Sequence, residues 1–109
     1  VNLSLGGPVE AEDFGCGATP LCVEANSLML SGVIVCAAAG NDGYKKVVTA
    51  NEQNKVDFFD TYMDIGISDP GNAQEVITVG SVHSLKPHTQ GISYFSSKGR
   101  TGWCSDALH

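Results

Sequence analysis

Val33-Ile34-Val35-Cys36-Ala37-Ala38 is a run of six apolar residues, β-branched at its start and small at its end, with no polar residue inside it. A run this short and continuous suits a strand covered on both faces of a parallel sheet, because a half-solvated strand would alternate. Gly32 stands just before it and Gly40-Asn41-Asp42-Gly43 just after it, so both ends carry turn chemistry. Upstream, Thr19-Pro20 places a capping hydroxyl before a proline suited to the first helical position. Leu21, Ala25, Leu28 and Met29 then form one apolar stripe, and Gly32 falls where a left-handed cap would close the helix. The spacing predicts a helix over residues 20–31. Further back, Val1-Asn2-Leu3-Ser4-Leu5 alternates and stops at Gly6-Gly7-Pro8, the pattern of a short strand. Strand, helix and strand make a βαβ unit over residues 1–39, and the fold class is α/β with a parallel sheet. In such sheets ligands bind beyond the carboxyl ends of the strands, here Ser4-Leu5-Gly6-Gly7 and Ala38-Ala39-Gly40-Asn41.

Downstream the periodicity fades. Residues 42–72 are polar with scattered aromatics (Tyr44, Phe58, Phe59, Tyr62) and read as a surface excursion holding a short strand or two, closed by the turn Ser68-Asp69-Pro70-Gly71-Asn72. Glu75-Val76-Ile77-Thr78-Val79-Gly80-Ser81-Val82 predicts a third central strand. A loop with Lys86-Pro87-His88 leads to Ile92-Ser93-Tyr94-Phe95-Ser96, a fourth strand or extended segment.

Composition excludes several functions. The 109 residues fit one domain, and 12 acidic against 6 basic residues leave a net charge of −6 with no basic stripe, which argues against nucleic acid as a partner. The longest apolar stretch, residues 33–39, falls far below the ~20 needed to span a bilayer, so no membrane partner is expected. The chain opens inside a strand, so any targeting signal is expected to lie elsewhere or never to have existed. Cysteines at 16, 22, 36 and 104 lack the paired spacing of a zinc site. Cys16 and Cys22 bracket a five-residue turn and could close a small disulfide loop in an exported protein, whereas Cys36 reads as a small buried hydrophobe. His83 and His88 have no partner at metal-ligand spacing. The nearest approach to a Gly-x-Ser-x-Gly nucleophile is Asn2-Leu3-Ser4-Leu5-Gly6, without the first glycine. The nearest approach to a phosphate loop, Gly15-Cys16-Gly17-Ala18-Thr19-Pro20, lacks the third glycine.

The two strand ends then carry the functional signal. Their small residues either end strands in plain turns or let a foreign backbone come close and pair with an exposed edge. Asn41 either serves the turn, since asparagine tolerates left-handed backbone, or aims an amide donor into a cleft.

Taken in order, Asn2-Leu3-Ser4-Leu5-Gly6-Gly7, Ser31-Gly32-Val33-Ile34-Val35-Cys36-Ala37-Ala38-Ala39-Gly40-Asn41-Asp42-Gly43, Asn72-Ala73-Gln74-Glu75-Val76-Ile77-Thr78-Val79-Gly80-Ser81-Val82 and Ser93-Tyr94-Phe95-Ser96-Ser97-Lys98-Gly99 resemble the subtilisin-like serine proteases, the subtilases. The resemblance covers residues 1–101 and implies the central part of a catalytic domain, three-layer α/β/α in the parent. It implies that Ser4, Leu5, Gly6 and Gly7 form one wall of a peptide cleft and Ala38, Ala39 and Gly40 the opposite wall. Asn41 matches the asparagine whose side-chain amide donates to the oxyanion. The implied activity is peptide-bond hydrolysis by a Ser-His-Asp triad.

The departures set further expectations. The family's Asp and His motifs would precede Val1 and its Gly-Thr-Ser-Met-Ala motif would follow His109, so the chain alone is expected to be inactive. Arg100 stands where the family usually has proline, and residues 102–109 read as a tail outside the family, a cloning or frameshift scar or a diverged ending. No cofactor is expected, and the calcium sites of the parent cannot be placed residue by residue. The expected partner is a peptide or protein substrate, with self-association through exposed sheet edges or faces as a non-catalytic alternative. An unrelated small α/β domain is a third reading. The parent is expected to be secreted. Ala38, Ala39 and Gly40 would leave the pocket open to a large apolar side chain.

Overall fold

A computed structural model describes residues 1–9, 12–50, 52–53, 55–64 and 66–99. The chain order is β1 (Asn2–Leu3), α1 (Pro20–Leu30), β2 (Cys36–Ala38), β3 (Tyr44–Ala50), β4 (Val56–Tyr62), β5 (Ile77–Val79) and α2 (Pro87–Gln90). β1, β2 and β5 form a parallel sheet in the order β1-β2-β5, with Asn2 beside Cys36 and Cys36 beside Ile77. The βαβ unit is therefore formed, with strands shorter than the alternating and apolar runs that announced them.

The helix ends where its local chemistry directs. The Thr19 side chain accepts from the Cys22 N–H, and Pro20 occupies the first turn. At the other end Gly32 is left-handed at φ +99°, its N–H donates to the Met29 carbonyl, and the Val33 N–H donates to the Leu28 carbonyl. That pair of bonds satisfies two carbonyls left over by the last turn, a Schellman closure that glycine permits without Cβ strain. The buried stripe differs from the expected one. Cys22 and Ala25 are buried and join Ala73 and Val76 in a small core, Met29 is half-buried, and Leu21 and Leu28 are exposed. The helix is rotated so that its small residues meet the small residues of the 73–76 segment, since close packing rewards matched surfaces rather than the largest apolar ones.

The sheet corrects a second expectation. Val35, Ala37 and Ala39 are buried at alternate positions, but Ile34, Ile77 and Val79 are exposed, the last two at 50% and 54%. Because Cys36 sits beside Ile77 and Ala38 beside Val79, these residues share one face. Among the described residues the 33–38 run is thus covered on one side only.

Residues 42–72 contain more order than their composition announced. β3 and β4 form a regular antiparallel hairpin pairing Tyr44 with Tyr62 through to Ala50 with Val56. Its base is tied down by edge-on ring contacts, Tyr44 to Tyr62 and Tyr44 to Tyr94, and by Lys98 over the Tyr62 ring. The expected fourth strand is reduced to one antiparallel bridge, Val82 to Ile92. The chain turns at Ser93, whose carbonyl accepts from the Ser96 N–H, and α2 occupies the loop expected around Lys86-Pro87-His88.

Candidate active site

The carboxyl ends of β1 and β2 open onto one cavity of about 550 Å³, lined by Ser4, Leu5, Gly6 and Gly7 on one side and by Ala38, Gly40 and Asn41 on the other. The sheet brings these together because β1 and β2 are adjacent and parallel, so their following turns leave from the same edge. Ala39 does not line the cavity. It is buried, its N–H donates to the Val79 carbonyl, and its own carbonyl accepts from the Ser68 N–H and the Ser68 hydroxyl. Strand alternation turns it inward between its two cavity-lining neighbours.

The segment after the hairpin closes the gap between the walls, a role that no sequence period signals. Asp69 and Gly7 exchange two backbone hydrogen bonds, at 3.0 and 3.1 Å, while Ser68 holds Ala39 on the other side. Ser68 Oγ stands between the walls so closely that a Cβ on Gly6 would lie 2.4 Å from it and a Cβ on Gly40 2.7 Å. Gly40 is also left-handed at φ +104°, so a side chain there would meet strain as well as collision.

Beneath this segment lies a buried polar knot. The Asp69 carboxylate accepts from the Thr19 hydroxyl at 2.7 Å and from the Asn72 amide at 2.9 Å, which ties the start of α1 to the floor of the cleft. Cys22 sits against it, 0% exposed, and its thiol is pushed up to about 11, first by burial and then by Asp69, with Thr19 opposing. Cys22 is a free thiol while Cys16 is disulfide-bonded, so the expected Cys16–Cys22 loop is not formed. The helix explains this: Cys22 lies in its first turn facing the core. Cys36 is free and half-buried.

Asn41 is exposed at the cavity, and among the described residues its side-chain amide has no hydrogen-bond partner. One turn further, Lys45 pairs with Asp42 at 3.1 Å on the cavity rim. Both side chains are about half exposed, so this pair adds little stability and chiefly offsets the Asp42 charge near the site. Among the described residues no three His, Cys, Asp or Glu side chains come close enough to hold a metal ion.

A model of the subtilase family, peptidase S8, matches residues 1–106. The chain belongs to the subtilase family. No match was found among curated proteins. The subtilase match runs past residue 101 to residue 106, and residues 100–109, which include the expected tail at 102–109, lie outside the described residues. Subtilases are serine peptidases, and the parallel sheet with its edge cavity is the part of that α/β fold present here.

Proposed function

We propose that this chain supplies the substrate-receiving part of a subtilisin-like serine endopeptidase, with Asn41 as the side-chain donor of the oxyanion hole. The observation that carries it is Asn41 itself: an exposed amide without a partner among the described residues, at the mouth of a cavity walled by two strand-end turns. An extended peptide lies between the 4–7 and 38–41 segments, and glycines let its backbone approach. The serine of the triad attacks the scissile carbonyl carbon, its proton passes to the histidine, and the carbonyl oxygen becomes an anion. The Asn41 amide meets that anion. Because the charge exists only during reaction, a fixed donor lowers the barrier more than it tightens binding. Ser68 between the walls restricts the pocket beside Gly6 and Gly40, which favours smaller side chains there than the Ala-Gly walls alone suggested. The disulfide at Cys16 supports an exported parent.

In this reading the triad is supplied by further chain, and the 109 residues alone are expected not to turn over peptides. In the complete peptidase, Asn41→Ala is expected to lower kcat by about 10²–10³-fold with little change in KM, the loss known for a subtilisin's own donor. Fluorogenic peptide hydrolysis measures it. Turnover by the isolated chain that survives Asn41→Ala would overturn the proposal. The open sheet face at Ile34, Ile77 and Val79 favours a second reading, a non-catalytic module that self-associates. A single monomeric mass in solution up to high concentration would remove it.

A further inference from the structure

The turn that carries Asn41 is not held by its own strand alone. Residues 95–97 grip it with three hydrogen bonds. The Ser97 N–H donates to the Gly40 carbonyl at 3.0 Å, and the Gly43 N–H donates to the Phe95 carbonyl at 3.0 Å. Between them the Asp42 N–H donates to Ser97 Oγ at 2.9 Å. Ser97 thus binds the residue before Asn41 through its backbone and the residue after Asn41 through its hydroxyl. It is buried, and a Cβ on Gly40 would lie 3.0 Å from its oxygen.

The two bonds differ in what a substitution can remove. The backbone bond survives any side chain except proline, whereas the Asp42 N–H depends on the Ser97 hydroxyl. Nothing else among the described residues accepts from that N–H. Without the hydroxyl the peptide between Asn41 and Asp42 can rotate toward water, and the Asn41 Cα–Cβ vector rotates with it. Among the described residues the Asn41 side chain has no partner of its own to hold its direction, so its aim is set by its backbone.

We infer that Ser97 is a positioning residue for the oxyanion donor, acting on the reaction through Asn41 and not by touching substrate. This rests on the proposed role of Asn41. A donor that must sit near 3 Å from a transient oxygen is sensitive to displacements too small to change substrate binding.

The test is a double-mutant cycle in the complete peptidase, with kcat and KM measured separately on a fluorogenic peptide. Ser97→Ala should lower kcat by about tenfold while KM moves by less than about twofold. Ser97→Thr, which keeps the acceptor oxygen, should recover most of the lost kcat. In an Asn41→Ala background, Ser97→Ala should change kcat by less than about twofold, because the donor it aims is gone. Should Ser97→Ala fail to fold, Ser97→Cys, with its weakly accepting sulfur, takes its place with the same expectations. An unchanged kcat in the Ser97→Ala enzyme overturns the inference, as does an equal loss in both backgrounds, which would mean general damage. If Asn41→Ala alone leaves kcat unchanged, the donor role itself fails and Ser97's with it. A lowered kcat there combined with additive effects removes the Ser97 inference only.

Discussion

The turn after β2 and the hairpin that leaves from it meet at Tyr44, yet they are held in opposite ways. The turn has almost no regular structure of its own. Its shape comes from distant segments: Ser68 and Ser97 on either side of Gly40, and the Ser96 carbonyl pressed against Gly43. The hairpin is regular from Tyr44 to Ala50 and from Val56 to Tyr62, but its ladder is its main support. Phe58 opposite Val48 is 69% exposed, and Val56 near the far end is exposed too. Irregular backbone can therefore be the more firmly specified part of a molecule. It is specified by packing and hydrogen bonds at long range, while a two-stranded ribbon with solvated faces is only marginally stable by itself.

Substitutions on either side put this contrast to the test. The largest effect is expected at Gly43, where a Cβ would lie 2.1 Å from the Ser96 carbonyl oxygen, with only backbone to give way. Gly43→Ala should destabilise the chain by about 3 kcal/mol in urea unfolding, at the upper end of overpacking costs. A loss below about 1 kcal/mol would show that the turn and its backing segment move freely, against the contrast.

Asp69→Ala comes next. It strips the Thr19 hydroxyl and the Asn72 amide of a buried acceptor, though each retains another bond, so about 2 kcal/mol is expected. Asp69→Asn should cost less because it keeps an acceptor, and an equal cost for both would point to the charge rather than the hydrogen bonds.

A smaller effect should follow pH through Cys22. Its folded value near 11 lies above the ordinary 9.0, so the folded thiol stays protonated while the unfolded one ionises. The stabilisation is complete below pH 9 and is lost as pH rises from 9 toward 11, amounting to about 1 kcal/mol at pH 10. Stability curves of the parent chain and of Cys22→Ala should diverge in slope over that window only. Parallel curves would mean that the thiol is solvated.

The smallest effect is expected in the hairpin. Phe58→Ser should change unfolding free energy by less than about 0.5 kcal/mol, since little of the ring is removed from water. A loss of 2 kcal/mol or more would show that the hairpin is packed in solution and would erase the contrast.

Much of the fold and some of the site can be read without coordinates. Thr19-Pro20 and Gly32 bound the helix because capping is local chemistry, and the apolar 33–38 run locates the central strand because burial demands it. The hairpin is harder to see: Val47-Val48 and Phe58-Phe59 sit in a polar context, and alternation is blurred when both faces are solvated. Ser68, Asp69 and Ser97 leave no trace in any periodicity. Serine and aspartate in loops are common, and only burial distinguishes these three.

The βαβ unit, the two small-residue strand ends and the place of Asn41 in the Gly40-Asn41-Asp42-Gly43 turn are legible in the amino-acid order, because they depend on neighbours within a few residues. Long-range packing turns Leu21 and Leu28 outward, turns Ala39 away from the cavity and keeps Cys22 a thiol. It also brings Ser68 and Ser97 against Gly40. Those outcomes depend on which segments meet across 28 to 57 positions (40 to 68, 40 to 97). Contacts at that separation are selected by the packing of the whole chain and are written in no local pattern.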